Sequence, residues 1–289
     1  MDRPLSLYSF FQVFRLSRFP NLLIIALTQY LAAIFLTGSK ESKLSVIADI
    51  NLFLVVASTV IIAAAGYLIN DYYDMKIDML NKPQKVIVGK KLERRQVLIW
   101  HSIFNLSGII MGAVVSIWIG AFNFVLAFLL WLYSNQLKRL PFLGNFTVAI
   151  LTGYSLLVLA FYFRSSGNSI FIYSFFAFYI TLIREVIKDM EDMKGDQAFG
   201  CKTIPVVFGI RKTKWFLYVL IVGIIACFYV FVSSVQNLGL STFFIIFLIP
   251  FLYLIFRLSK SDTKRHFYFL SQYCKWLMIS GVLSMTLIK

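Results

Sequence analysis

Charged residues are scarce in this sequence. Only 14% of its 289 residues are charged, whereas 60% are hydrophobic and the mean hydropathy is +0.80. A soluble domain is about 45–50% apolar and about 25% charged, so this composition excludes one. The apolar residues also come in blocks close to the roughly 20 residues that a membrane-spanning helix needs. We therefore predict an all-α integral membrane protein.

Several signatures of soluble proteins are missing as well. The three cysteines, Cys201, Cys227 and Cys274, are scattered without a CxxC pair, which indicates neither a zinc site nor a disulfide framework. The chain also lacks a Walker motif and a dinucleotide-binding glycine fingerprint. Gly108 and Gly112 are spaced instead as a small-residue packing face between membrane helices.

The distribution of positive charge predicts the topology. With the N-terminus placed in the cytoplasm, 24 of the 28 Lys and Arg residues fall inside and 4 fall outside. This asymmetry follows the positive-inside rule and accounts for most of the net charge of +15 without nucleic acid. We predict a multi-pass protein of the cell membrane with its C-terminus outside. The nine apolar blocks cover roughly 20–38, 47–70, 97–117, 119–134, 144–163, 169–188, 214–235, 239–257 and 269–288.

Acidic residues are concentrated where the second and sixth apolar blocks end. Nine of the 13 Asp and Glu residues lie there, and each segment holds three aspartates spaced by three and then four residues. The two trios are Asp71, Asp74 and Asp78, and Asp189, Asp192 and Asp196. On a helix this spacing puts each trio on one face. Carboxylates with phosphate oxygens are typical ligands of Mg²⁺, so the trios predict a magnesium–diphosphate site; the alternative is a solvated helix end paired with lysines.

Basic segments accompany both trios. A stretch with Lys82, Pro83 and Lys85 follows the first trio, and one with Lys202 and Pro205 follows the second. Lysine is a suitable point-charge partner for phosphate. A third basic segment, Tyr133-Ser134-Asn135-Gln136-Leu137-Lys138-Arg139, ends the fourth block.

Taken together, these motifs resemble the UbiA superfamily of intramembrane prenyltransferases. The resemblance rests on Asn70-Asp71-x-x-Asp74-x-x-x-Asp78 with Asn81-Lys82-Pro83, on Tyr133-Ser134-x-x-Leu137-Lys138, and on Asp192-x-x-x-Asp196 with Gly200-x-Lys202-Thr203. It implies nine transmembrane helices in a ring around a central cavity, with cytoplasmic cap loops. It also implies a single domain over residues 1–289, with motif loops at about 70–96 and 184–213.

The resemblance assigns roles to the motif residues. Mg²⁺ is the implied cofactor, bound by Asp71, Asp74, Asp78, Asp192 and Asp196, the implied catalytic set, with Asp189 as a further ligand. The implied substrate-binding residues are Asn70, Lys82, Lys85, Tyr133, Lys138, Arg184 and Lys202. Aromatic faces can shield an allylic cation, and Tyr67, Tyr72 and Tyr133 are the candidates nearest the motifs.

The acceptor is the open part of this interpretation. The segment from Arg184 to Pro205 looks most like the geranylgeranylglycerol-phosphate geranylgeranyltransferase branch, with geranylgeranyl diphosphate as the donor. A 4-hydroxybenzoate or other quinone-precursor polyprenyltransferase is the alternative. The expected partners are thus a prenyl diphosphate, a lipid-like or aromatic acceptor and membrane lipids, and no nucleic acid.

Two other classes of membrane protein also place acids at the membrane. A cation-coupled transporter calls for isolated acids or broken helices inside its spans, whereas these acids lie at span ends. A CDP-alcohol phosphotransferase would need an Asp-Gly pair near the first acids, and this chain has none. Prenyl transfer is therefore the favoured function.

Overall fold

The computed structural model describes residues 7–38, 42–84, 86–164, 168–234 and 238–288. Within these ranges the chain is α-helical, with two short 3₁₀ turns and a single isolated bridge between Val88 and Leu92. The all-α prediction is confirmed. The helices are α1 (Leu7–Leu16), α2 (Phe19–Phe35), α3 (Lys43–Ala48), α4 (Ile50–Asn81), α5 (Arg94–Val115), α6 (Ile117–Asn135), α7 (Leu143–Tyr162), α8 (Asn168–Ala198), α9 (Ile204–Ser234), α10 (Leu238–Ser259) and α11 (Lys264–Leu283).

Seven helices in the described part of the chain are long and apolar enough to cross a membrane. They are α4 to α10, with the apolar stretches of the last two at Ile204–Val230 and Ser241–Ser259. The apolar helix α2 has 17 residues and is shorter than these seven, and α11 is not among them. The structure therefore identifies a multi-pass membrane protein, and the count of nine spans stays a prediction.

The two helices that carry the aspartate trios are longer than a bilayer requires. Helix α4 has 32 residues and α8 has 31. At 1.5 Å per residue each is about 45–50 Å long, against a hydrocarbon core of about 30 Å. Each helix continues from its apolar part through its trio without interruption. Both trios are therefore presented on rigid helix rather than on loops.

Contacts between helices divide the chain into two compact units. The first comprises Met1–Tyr30 with Lys40–Lys138, and the second comprises Leu31–Ser39 with Arg139–Lys289. Helices α4, α5 and α6 pack together in the first unit. A Cβ atom at Gly108 would lie 2.6 Å from Ile62 Cγ1, so only glycine lets α5 approach α4 this closely. The small-residue packing face predicted from the sequence is confirmed.

A buried polar group joins the same three helices. Asn123 of α6 is 1% exposed, and its Nδ2 donates to Ser58 Oγ of α4 and to the Gly108 carbonyl of α5, both at 3.1 Å. Polar side chains inside a membrane protein favour partners on neighbouring helices because lipid offers none. Asn123 therefore fixes how α6 is seated against α4 and α5.

The N-terminal helix α1 packs against α4 and the segment that follows the first trio. Val13 and Leu16 of α1 are buried in a cluster with Leu68 of α4 and with Ile87, Val88, Leu92 and Val97. A tight turn at Gly89, with φ +79°, folds this segment back until a Cβ atom there would lie 2.8 Å from Met75 Sδ. Helix α1 and this segment, which we call the 86–92 turn, together cover one side of the first motif.

In the second unit, α8 is the central element and packs against α7, α9 and α11. Its buried residues, such as Ile180, Ile183 and Ile187, share one hydrophobic cluster with side chains of α9, α10 and α11. Helix α9 is broken at Gly209, whose φ of +77° and ψ of 162° are not helical. This packing holds α8, and with it the second aspartate trio, in place.

Candidate active site

The first aspartate motif lies on the last turns of α4 and faces two basic side chains. Asp71 Oδ1 accepts a hydrogen bond from Arg18 Nη2 at 2.8 Å, and Asp74 Oδ1 accepts one from Lys138 Nζ at 2.5 Å. The aspartate side chains are 19% and 18% exposed. Each carboxylate is thus partly withdrawn from water and neutralised by a cation from a distant part of the sequence.

Asn70 completes the first motif. Its Nδ2 donates to Asp74 Oδ2 at 2.9 Å, so both oxygens of Asp74 are engaged. Its Oδ1 is buried and accepts no hydrogen bond within the described part of the chain. A buried carbonyl oxygen without a donor is costly and is a suitable ligand for a hard cation. This atom therefore adds a second type of oxygen ligand, an amide oxygen, beside the carboxylates of Asp71 and Asp74.

Arg18 lies at the junction between α1 and α2, with a φ of +54°. Its guanidinium carbon lies 4.9 Å from the ring centroid of Tyr67, one turn before Asp71 on α4. Burial acts to lower the pKa of Arg18, but the neighbouring Asp71 and Tyr67 outweigh it and raise that pKa above its ordinary value. The guanidinium is thus held as a permanent cation against the motif.

The other residues predicted to bind substrate near this motif lie at helix ends and in the segments that follow them. Lys138 is in the 3₁₀ turn Leu137–Arg139 after α6, which places its Nζ on Asp74. Tyr133 is half-buried in the last turns of α6. Lys82 caps the end of α4, where its backbone N–H donates to the Asp78 carbonyl at 2.7 Å. Lys85 lies outside the described residues.

The second motif is on α8, in the second unit. Asp189 Oδ2 accepts a hydrogen bond from Asn145 Nδ2 of α7 at 2.8 Å. Asp192 and Asp196 are half-buried, and Asp196 accepts from Thr203 Oγ1 at 3.3 Å. The Asp196 carbonyl also accepts from the backbone N–H of Cys201 at 2.8 Å, which ties the following segment to the end of α8.

The basic residues near the second motif have protein partners. Arg184 Nη1 donates to Glu185 Oε1 at 2.9 Å, and Lys188 Nζ donates to Glu185 Oε2 at 2.7 Å. Glu185 is buried, so these two cations balance it. The Lys202 side chain is exposed, while its backbone N–H donates to the Arg139 carbonyl at 2.8 Å.

The described part of each unit lacks a ready-made metal cluster. Among the described residues, no three His, Cys, Asp or Glu side chains are arranged so that they could hold one ion together. For the first motif the physical reason is visible, because Asp71 and Asp74 point at Arg18 and Lys138. A cation that bound these carboxylates would therefore compete with the basic side chains.

Residues 26–274 match the UbiA prenyltransferase family. The chain belongs to the UbiA prenyltransferase family. This UbiA protein is therefore a prenyltransferase, and the resemblance found in its motifs is confirmed.

Named relatives and solved structures agree with this assignment. The digeranylgeranylglyceryl phosphate synthase of Methanosphaera stadtmanae is 33% identical over 227 residues, which are 78% of this UbiA chain and 82% of the relative. A structure described as giving insights into digeranylgeranylglyceryl phosphate synthase in membranes has a TM-score of 0.72, with 22% identity over 97% of this chain and 98% of the other. A UbiA homologue from Archaeoglobus fulgidus, bound to DMAPP and Mg²⁺, has a TM-score of 0.66 and 17% identity, and the match covers 95% of this chain and 98% of that one.

Some residues that contact the motifs of this UbiA protein were missed by sequence reasoning. In the sequence, Arg18 is only one of the 24 inside basic residues, and Asn145 lies at the start of the apolar block 144–163 without a motif that points to it. Arg94 lies over the Tyr72 ring at 4.4 Å from its centroid, just as Arg18 lies over Tyr67. Two of the tyrosines predicted to shield an allylic cation therefore have an arginine on one face. Such pairs join residues more than 20 positions apart, so no local spacing in the sequence predicts them.

Proposed function

We propose that this protein catalyses the Mg²⁺-dependent transfer of the geranylgeranyl group from geranylgeranyl diphosphate to geranylgeranylglyceryl phosphate. The acceptor is supported by the name of the relative, which is 33% identical over most of both chains. The donor class and the metal are supported by a fold neighbour bound to DMAPP and Mg²⁺. The observation that carries the proposal is the pairing of Asp71 and Asp74 with Arg18 and Lys138, because such a surface offers ligands for both a cation and a diphosphate.

The donor atoms of the first motif fit magnesium. All of them are oxygens, from the carboxylates of Asp71, Asp74 and Asp78 and from the orphaned amide oxygen of Asn70. Mg²⁺ favours oxygen ligands and usually keeps water and substrate phosphate in its coordination sphere, so it needs only one or two carboxylates from each motif. We assign Asp71, Asp74 and Asp78 of the first motif and Asp189, Asp192 and Asp196 of the second to metal binding.

The reaction needs the diphosphate to leave with its charge neutralised. Bound Mg²⁺ would supply Lewis-acid stabilisation of that leaving group. Lys138, Lys202, Lys82 and Lys85 would add electrostatic stabilisation by contacting the phosphate oxygens. Asn70 holds Asp74 in orientation through its 2.9 Å hydrogen bond, and Tyr133 and Arg184 would contact substrate.

The surroundings of the reaction are proposed from the family resemblance. We infer nine membrane spans, α2 and α4 to α11, in a ring around a central cavity with cap loops on the cytoplasmic side. The whole chain would act as one domain in the cell membrane, with the N-terminus inside and the C-terminus outside. The 24:4 division of basic residues supports this orientation. Such a cavity would exclude water from the allylic cation.

A direct assay tests the reaction and the acceptor together. Purified protein is incubated with Mg²⁺ and labelled geranylgeranyl diphosphate, and geranylgeranylglyceryl phosphate or 4-hydroxybenzoate is offered in turn. We expect labelled lipid product with the glycerol phosphate acceptor. If product forms only with 4-hydroxybenzoate, the acceptor is the aromatic compound and not the glycerol phosphate. If no product forms with either acceptor, the proposal is contradicted.

Variants link that activity to the motifs. We expect Asp74→Asn and Asp192→Asn to lower product formation by roughly 10²-fold or more, because each removes a charged ligand that stabilises the leaving diphosphate. Asp262→Asn is the matched control, since Asp262 is 74% exposed and contacts Lys214 in the second unit. Equal activity in all three variants would show that the aspartate motifs are not the site of chemistry.

A further inference from the structure

Arg18 is held against Asp71 by several independent contacts. Its Nη2 reaches Asp71 Oδ1 at 2.8 Å, and its guanidinium lies over the Tyr67 ring at 4.9 Å. Its backbone carbonyl accepts from the Asn21 N–H at 2.7 Å. The side chain nevertheless remains 40% exposed, so protein does not enclose it on every side.

The backbone at Arg18 is in a conformation that side-chain-bearing residues rarely adopt. Its φ is +54°, in the left-handed region where glycine is favoured. Such conformations persist only where the surroundings impose them. Here α1 is fixed by Val13 and Leu16 in the cluster with the 86–92 turn. The docking of α1 therefore sets where the guanidinium stands relative to Asp71.

The contact competes with metal binding. Asp71 Oδ1 cannot bond the guanidinium and a divalent cation in the same way, and two cations on one carboxylate repel each other. A diphosphate changes this balance because its oxygens offer the guanidinium a bidentate partner. A cation would thus bind Asp71 more tightly together with diphosphate than alone.

We propose that Arg18 is a positioning residue that occupies Asp71 in the metal-free enzyme and gives it up only when a divalent cation and a diphosphate bind together. This inference rests on the proposed function, since it assumes that Asp71 is a metal ligand. It makes metal and diphosphate binding positively coupled, and that coupling is reciprocal. It also gives α1 a role in substrate loading, because α1 and the 86–92 turn hold Arg18 in place.

The test measures binding of Mn²⁺, a paramagnetic substitute for Mg²⁺, to purified protein by electron paramagnetic resonance. In the absence of diphosphate, we expect Arg18→Gln to bind Mn²⁺ roughly tenfold or more tightly than the wild type, because the competing cation is gone. With inorganic diphosphate present, and after correction for Mn²⁺–diphosphate association without protein, we expect the wild type to gain more affinity than the variant.

Two further variants keep the result interpretable. Arg15→Gln removes the same charge from an exposed position of α1, and we expect it to bind Mn²⁺ as the wild type does. Arg18→Gly removes the guanidinium and also relieves the strain of the left-handed backbone. It therefore keeps the test valid if Arg18→Gln fails to fold, and we expect it to show the same gain in Mn²⁺ affinity.

The outcomes separate this inference from the proposed function. If Arg18→Gln and Arg18→Gly bind Mn²⁺ no better than the wild type and Arg15→Gln, Arg18 does not compete with the metal and the inference is wrong. A purely structural role for Arg18 would lower both thermal stability and Mn²⁺ affinity, which is the opposite sign. No Mn²⁺ binding by any protein, even with diphosphate, would overturn both proposals. Tighter Mn²⁺ binding by the variants without prenyl transfer by the wild type would support the inference and overturn only the function.

Discussion

The hydrogen bond between Asn145 and Asp189 allows the structural and the metal-binding roles of one carboxylate to be separated. Asn145 is 6% exposed, and its Nδ2 lies 2.8 Å from Asp189 Oδ2. A hydrogen bond to a charged group contributes about 1.5–3 kcal/mol, whereas polar contacts between membrane helices average about 0.6 kcal/mol and reach about 1.7. We therefore expect Asn145→Ala to lower the free energy of unfolding by about 1–2 kcal/mol.

A charge swap sharpens this prediction. Asn145→Asp places two carboxylates at hydrogen-bond distance and should destabilise at least as much as Asn145→Ala. Combining it with Asp189→Asn restores an amide and a carboxylate with their positions exchanged. We expect the double variant to recover wild-type stability to within about 0.5 kcal/mol. Its prenyl transfer should nevertheless stay low, because an amide at position 189 cannot replace a carboxylate bound to Mg²⁺.

The assay is reversible unfolding in mixed detergent micelles, followed by tryptophan fluorescence, with prenyl transfer measured on the same samples. Thr147→Val is the control. Thr147 lies on α7 like Asn145, and among the described contacts its hydroxyl donates only to the Leu143 carbonyl, one turn earlier on the same helix. Unchanged stability of Asn145→Ala would refute the energetic reasoning. Recovery of activity together with stability in the double variant would show that Asp189 is a structural residue and not a metal ligand.

Three further predictions concern packing and the metal. Gly108→Ala should cost about 1 kcal/mol of stability, because a Cβ atom 2.6 Å from Ile62 Cγ1 outweighs the gain in helix propensity; a more stable variant in the same unfolding assay would contradict this. Asn123→Leu removes two hydrogen bonds between helices and should also cost about 1 kcal/mol, and no change would mean that the bonds contribute nothing. Removing divalent cations with EDTA should abolish prenyl transfer and added Mg²⁺ should restore it, whereas full activity in excess chelator would rule out a metal-dependent reaction.

The positions of the helices could largely be predicted from the sequence, because a helix that crosses a membrane requires a continuous block of apolar residues. The helix ends could not. The block ending at residue 70 becomes a helix that continues to Asn81, and the block beginning at 214 becomes a helix that begins at Ile204. The turns added after residue 70 contain three aspartates and a lysine, which interrupt the apolar pattern. The segment added before residue 214 is separated from the apolar block by the break at Gly209 and by Arg211 and Lys212. The turns after residue 70 are helical because the apolar part of α4 has already nucleated the helix and each further residue adds a hydrogen bond.

The candidate site could be predicted only in part. The spacing of the aspartates showed which residues share a helix face, since that depends on residues three and four apart. The partners of those aspartates depend on tertiary packing. Arg18 is 53 residues from Asp71, and Lys138 is 64 residues from Asp74. Nothing local distinguishes Arg18 from the other inside lysines and arginines, and the motif that contains Lys138 does not identify Asp74 as its partner.

The partners of Asp71 and Asp74 explain how charged aspartates can lie at the end of a membrane-spanning helix. Carboxylates near a bilayer are costly unless each is neutralised, and in this structure Arg18 and Lys138 neutralise Asp71 and Asp74. A diphosphate accompanied by about two Mg²⁺ is itself almost neutral. Under the proposed function, the side chains would accept it by exchanging partners, with Asp71 and Asp74 turning from basic residues to metal and the basic residues turning to phosphate. In that exchange each basic side chain would keep a negative partner, so the ion pairs and the loaded site could use the same residues.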